Sequence, residues 1–415
     1  MSSPPAVAGL PAGPVPARAS LLYLADFRRL WLIGLVVFAV RWLEMLVVAV
    51  FVYQRTGSAF WVAMMTLLRM APMVLFGPVI GAVAERFERR RAQVFVGVTL
   101  LATASVIAAL AYAGALQVWH LAVAAFCNGI AWAADNPVRR VMIGEVVGPE
   151  RMGSAMAIDV GANNASQMLG PTIGGMMLAH IGVAGAFSVS VGCYAVALLA
   201  ALRVQHRNAV APGMAGAVIA RIVEGVLLAR RDPRLVAILV VTIVYNVFGW
   251  PATSMVPVIG QDSLHLSPAG IGMLTSMTGV GAFFGAIAIA LWAKQPHFTR
   301  LYICAVLTYL VLVIGFALAG TPVSAGTALL LTGLANSGFS VMQATLIYLA
   351  APVEMRSRIY GVLSLCIGSG LVGFLHIGIV ADLIGAPGAV IASGVEGFIV
   401  LALTWRWWRR LLQRV

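Results

Sequence analysis

The sequence predicts an all-α polytopic membrane protein, with twelve transmembrane helices in two pseudo-symmetric six-helix bundles. Three observations carry this. Hydrophobic residues fill 61% of the 415 positions and charged residues 10%, against roughly 45–50% and 25% in soluble domains. The apolar residues fall in runs free of Asp, Glu, Lys and Arg, often twice the ~20 residues that one bilayer crossing needs. All but three of the 27 Lys and Arg lie in gaps that would face one side of a membrane, and Lys/Arg-rich loops stay cytoplasmic.

Taken in order, the expected spans are 30–53, 61–84, 92–113, 118–141, 153–178, 184–203, 234–259, 268–292, 301–319, 324–349, 358–380 and 386–407. The uncharged runs 92–134, 160–202 and 301–353 must each hold two helices, broken near 114–117, near Gly182 and at 320–322. Both termini are then cytoplasmic, and the off-side cations are Arg41, Arg55 and Arg69. Residues 1–27 read as a disordered tail, because Pro, Ala and Gly fill the first 20 with no apolar core before a cleavage site. Two bundles follow, 28–203 and 234–407, joined by the one long hydrophilic gap, 204–233, in which 217–229 suits an amphipathic surface helix. Residues 408–415 form a basic tail, and Trp405, Trp407 and Trp408 beside it suit an interfacial anchor. A weak repeat supports duplication: Met152 and Ser154 after helix four map onto Met355 and Ser357 after helix ten with one common offset.

The net charge of +13 is dispersed through short loops, which fits membrane orientation and excludes nucleic acid as a partner. Cys127, Cys193, Cys304 and Cys366 lie in apolar runs without metal-ligand spacing, and the six His are scattered, so neither metal nor cofactor is expected. No P-loop, nucleophile elbow or zinc-protease motif occurs, and the loops are too short for a catalytic domain. An enzyme is not expected.

Ionisable groups at bilayer depth cost several kcal/mol unless paired or hydrated. Arg41 and Glu44 sit three apart on one face of helix one, placed to pair, and Arg69 on helix two lies at a similar depth. A coupled cluster in which Glu44 exchanges a proton is one reading; a static ion pair tying two helices is the other. Helix five carries Asp159, Asn163 and Gln167 on one face, a polar stripe suited to cavity lining or to an interhelical gate. Asp159, near the cytoplasmic end, is expected to be partly wet. Tyr245, Asn246, Asn336, Gln343 and His376 are the cavity candidates of the second half, with helix–helix hydrogen bonding as their alternative. Glu396 in helix twelve suits partner packing.

The loop between helices two and three, with Gly81, Glu85, Arg86, Glu88, Arg89 and Arg90, resembles the signature G-x-x-x-D-R-x-G-R-R of the major facilitator superfamily. It departs in having Glu85 for Asp and Glu88 for the second Gly. Ser166, Gly170, Pro171, Gly174 and Gly175 on helix five resemble the superfamily's exporter motif G-x-x-x-G-P-x-x-G-G. In that family the face meets helix eight, with Gly281 and Gly285 as the expected partner here. Thr56-Gly57-Ser58, Pro72 and Asn136-Pro137 with Arg139 resemble the enterobactin-exporter and macrolide-efflux branch. Asn128-Gly129 lacks the Arg that proton-coupled exporters of the family carry before that Gly. The resemblance implies a monomeric secondary transporter of the inner membrane, partnered by a small-molecule substrate, protons and the lipid bilayer. Alternating access about a midplane site and proton-coupled export are its expected mechanism; import, lysophospholipid exchange or sensing without transport are the alternatives.

Overall fold

A computed structural model describes residues 21–86, 88–206, 218–352 and 355–412, with only the backbone described at 77–86, 218–223, 357 and 410–412. Among them nine stretches are long and apolar enough to cross a membrane. Two of the nine, 149–203 and 358–403, are helix pairs that turn at Gly182 (φ 66°) and Gly385 (φ 80°). Those left-handed angles suit glycine, so the chain reverses without a loop. Helix four (Val118–Val147) falls short on hydropathy because its apolar part includes His120, Asn128 and Asp135, yet it runs alongside helices two and three. Nine stretches, two of them double, plus helix four make twelve helices.

Helix one (Ala25–Thr56) begins five residues before its expected span and buries Phe27, so the tail expected over 1–27 yields its last residues to the bundle. Helices two (Ala59–Arg86) and three (Arg89–Tyr112) follow, then helices five and six within Met152–Arg203. The linker contains a helix at Val218–Ala229 that packs on helix eleven. Helix seven is irregular: Pro233–Val244 is regular, Tyr245–Gly249 is a π turn, Trp250–Met255 is 3₁₀, and Val256–Asp262 returns to α. Helices eight (Pro268–Trp292), nine (Phe298–Ala317) and ten (Pro322–Ala350) complete the wall. Helix eleven starts at Arg356 and leads through Gly385 into helix twelve, which ends at Leu403 before a tail helix, Trp405–Leu412. Met152 and Met355 sit at corresponding helix starts, five and eleven, as the repeat requires.

Glycines set the spacing between helices. A Cβ on Gly170 would stand 2.7 Å from the Trp42 Cβ, and one on Gly174 2.8 Å from the Leu43 carbonyl oxygen. Those two residues therefore seat helix five against helix one. Gly175 instead abuts Pro268 and Gly272 of helix eight, and Thr172 bonds Ser276 at 2.8 Å. The partner face on helix eight is thus Pro268, Gly272, Ser276 and Gly279, a correction to the expected Gly281 and Gly285. Those two lie on the opposite side, against Leu330, Leu334 and Ser337 of helix ten. The register differs because helix eight carries glycines on two faces, one for each neighbour.

Candidate functional site: a central cavity of arginine and tryptophan

Between the two halves lies a cavity lined by Arg41, Trp42, Thr66, Arg69, Trp132 and Gln167 from the first half. The second half contributes Trp250, Thr253, Thr275, Thr278 and Phe374. Among the described residues no Asp or Glu lines it. The Arg41 guanidinium lies 4.0 Å from the Trp132 ring centroid and 5.3 Å from that of Trp42, a stacked arrangement that replaces an ion pair. The indole N–H groups of Trp42 and Trp132 are buried without acceptors. Two unused donors in a cavity wall offer hydrogen bonds to a ligand rich in oxygen acceptors, and the rings offer apolar area.

Arg69 is the shared wall between this cavity and a smaller one inside the first half, where Glu44 and Asn128 lie. Its Nη2 is 3.6 Å from Glu44 Oε2, and Asn128 Nδ2 donates to the same oxygen at 3.3 Å. Glu44 is 2% exposed. The expected Arg41–Glu44 pair does not form. Three residues along a helix rotate the side chain by about 300°, which turns Arg41 to Trp132 and leaves Glu44 facing the bundle. Gly129 lets the helix-two backbone at Arg69 approach helix four, which brings Asn128 within reach.

Asp159 is a second correction. Far from wet, it is 1% exposed and paired with Arg139 and with Arg140 Nε at 3.2 Å. Arg139 is fully buried between Asp135 (3.3 Å) and Asp159, with its guanidinium 5.0 Å from the Phe38 ring. Gly34 makes room, since a Cβ there would overlap that guanidinium. The cluster ties helices one, four and five; it does not line the cavity. Of the helix-five stripe only Gln167 reaches the cavity, while Asn163 is half-buried outside it.

None of the five second-half candidates lines it either. Tyr245 donates to Asn336 at 2.6 Å, Asn246 to the Thr242 carbonyl at 2.8 Å and Gln343 to the Thr242 hydroxyl at 2.8 Å. Each is spent on a neighbour within its own bundle, the alternative that membrane interiors favour. His376 faces Glu396 at the outer surface. In the signature loop, Arg89 binds Glu145 and Arg90 donates to the Leu202 carbonyl at 2.7 Å. At Gly81, Glu85 and Arg86 only the backbone is described. Glu145 sits beyond the expected span. Burial raises its pKa, but hydrogen bonds from His206 and Arg89 outweigh that and leave it below the usual carboxylate value.

Polar ties between the halves occur at mid-depth, Thr172–Ser276, and at the Arg-poor end. There Tyr53 donates to Asp262, while the Ser58 hydroxyl and Phe60 N–H donate to Asp382 at 3.1 Å each.

The family model of the Major Facilitator Superfamily matches residues 30–375, most of the chain. The chain belongs to the major facilitator superfamily. Macrolide efflux protein A of Streptococcus pyogenes is 22% identical over 243 residues, 58% of this chain. The match spans about 60% of that relative's length. The multidrug efflux pump Tap of Mycolicibacterium fortuitum is 25% identical over 379 residues, covering 86% of this chain and 88% of Tap. Among solved structures, the nucleoside transporter NupG superposes with a TM-score of 0.75 at 10% identity, covering 94% and 100%. A bacterial homologue of the lysosomal transporter Spinster, inward-facing and unoccupied, gives 0.71 at 15%, covering 96% and 98%. These superpositions show the superfamily fold in this chain. The similarity to macrolide efflux protein A agrees with the resemblance carried by the sequence motifs.

Proposed function

We propose that this superfamily member exports a small organic compound by alternating access, coupled to a proton at Glu44. The supporting observation is a cavity lined from both halves, whose polar inter-half ties lie at mid-depth and the Arg-poor end. The positive-inside rule puts the Arg-rich end and both termini in the cytoplasm of a bacterial inner membrane. The arrangement is then inward-facing, the loading state of an exporter. Residues 28–203 and 234–407 are the two moving bodies, 204–233 connects them, and the protein works as a monomer without a cofactor. Efflux, the activity in the relatives' names, favours export; the indole donors and aromatic walls suit a bulky compound bearing acceptor oxygens.

Glu44 does not touch the cavity, so its coupling runs through Arg69. A proton on the carboxylate breaks the pair and turns the guanidinium over to the cavity. The freed guanidinium repels a cationic compound, so proton and compound bind in turn as antiport needs; for an anionic cargo the sign favours a second reading, import. An anionic cargo would bind best when Glu44 is protonated, so cargo and proton would travel together.

Proteoliposomes loaded with a pH-sensitive dye and challenged with a compound panel test both. Export by antiport predicts protons moving opposite to the compound, with that movement lost in Glu44→Gln. Co-directional movement would establish the second reading. Compound transport with no proton movement at either gradient polarity would sink the coupling at Glu44.

A further inference from the structure

His376 and Glu396 form a site on the outside of the second half. Counting from the turn at Gly385, His376 lies ~14 Å and Glu396 ~17 Å along their helices, about half of a ~30 Å hydrocarbon core. Both are partly exposed, 33% and 40% of their side chains, beside apolar residues that are more so, Val372 at 62% and Ile399 at 52%. With Phe248 and Val400 they line a groove where helices eleven and twelve meet helix seven. This surface looks away from the central cavity and shares no lining residue with it.

The chemistry of the pair is one-sided. His376 Nε2 stands 3.3 Å from Glu396 Oε2, while its Nδ1 is buried with no hydrogen-bond partner. The imidazole faces the carboxylate at 3.3 Å and holds it in place. No Arg or Lys pairs with Glu396 among the described residues. A carboxylate at mid-bilayer with no Arg or Lys beside it is costly, and the groove around it is shaped for an apolar body.

We propose that this groove binds a membrane-dissolved cationic amphiphile, an alkyl- or arylammonium compound that enters from the lipid. Its ammonium group donates to Glu396, its apolar body lies along Val372, Phe248, Ile399 and Val400, and His376 is the positioning residue. The site stands independently of whatever the central cavity carries.

Full-length protein, one copy per lipid nanodisc, would be titrated with spin-labelled dodecylammonium and, as a control, spin-labelled dodecyl sulfate. Immobilised signal should show the cation bound at least about tenfold tighter than the sulfate, the worth of one charge-assisted hydrogen bond. Glu396→Gln should abolish that preference, and His376→Ala should weaken it. Trp132→Ala, in the central cavity, should leave it unchanged. If Glu396→Gln fails to assemble, Val372→Trp, which fills the groove from its exposed rim, must release the cation. Equal binding of cation and sulfate, preference surviving both groove variants, or preference lost only in Trp132→Ala would overturn the assignment.

Discussion

The Arg69 guanidinium lies 3.6 Å from the Glu44 carboxylate, and the two groups face different spaces: Arg69 borders the central cavity, whereas Glu44 is 2% exposed within the first bundle. Removing either partner is therefore unequal. Arg69→Leu strands a buried carboxylate and should cost about 3–5 kcal/mol, whereas Glu44→Leu strands a guanidinium that can turn to the cavity and should cost less. The double variant should be more stable than Arg69→Leu alone. Thermal unfolding of the four proteins in nanodiscs measures the cycle; additive losses would show that the pair is not coupled.

Arg139 is buried between two acids, so Arg139→Leu leaves Asp159 with Arg140 and Asp135 with the neutral Gln93 amide. A loss of about 3–5 kcal/mol is expected, and Asp159→Asn in the same background should recover part of it. Gly34→Val should mimic the damage, because its side chain would displace the guanidinium. A Tm for Arg139→Leu within a degree of the parent would contradict this account.

Gly175 packs directly on helix eight across the interface between halves. Gly175→Leu should reduce transport strongly while each bundle keeps its internal structure, visible as unchanged helical circular dichroism. Ala at Gly161, which faces open space, should be silent in both assays.

Glu145 anchors Arg89 and His206 with a pKa held below its ordinary value. A depressed carboxylate stabilises the fold above its unfolded pKa, and that stability is lost as pH falls through the folded value. The Tm gap between the parent and Glu145→Gln should be open at neutral pH and close in acid. A gap independent of pH would mean the contribution is steric.

The helix pattern was largely legible in the sequence, because charge-free runs and the turns at Gly182 and 320–322 are local signals. Arg139 and Asp135 were not. Lying near a helix end, Arg139 counts as a loop cation by position, and only the extension of helix four to Val147 shows it to be buried. Arg41, Arg69 and Gln167 stand out in the sequence as polar groups at bilayer depth; all three border the cavity, although the two arginines are expected there only as members of a cluster with Glu44. Trp42, Trp132, Thr275 and Thr278 gave no such signal: a Trp or Thr in an apolar run reads the same facing lipid, protein or ligand. Tyr245, Asn336 and Gln343 take the helix–helix hydrogen bonds that the sequence offers as the alternative to cavity lining, and the choice between the two has a related cause. Their partners come from other helices, which no single-helix pattern reveals.

The middle of helix seven passes from α through a π turn to 3₁₀ and back within about three turns. The π turn underwinds the chain and the 3₁₀ stretch overwinds it, so the stretch works as a phase shifter. Residues up to Asn246 keep the azimuth that points them into their own bundle, while Trp250, Thr253 and Pro257 emerge rotated toward the gap between the halves. One continuous rod can thereby serve as bundle core at one end and ligand wall at the other. A single-residue deletion between 247 and 252 would turn the wall away from the cavity by about 100°, and Asp262 away from Tyr53 with it.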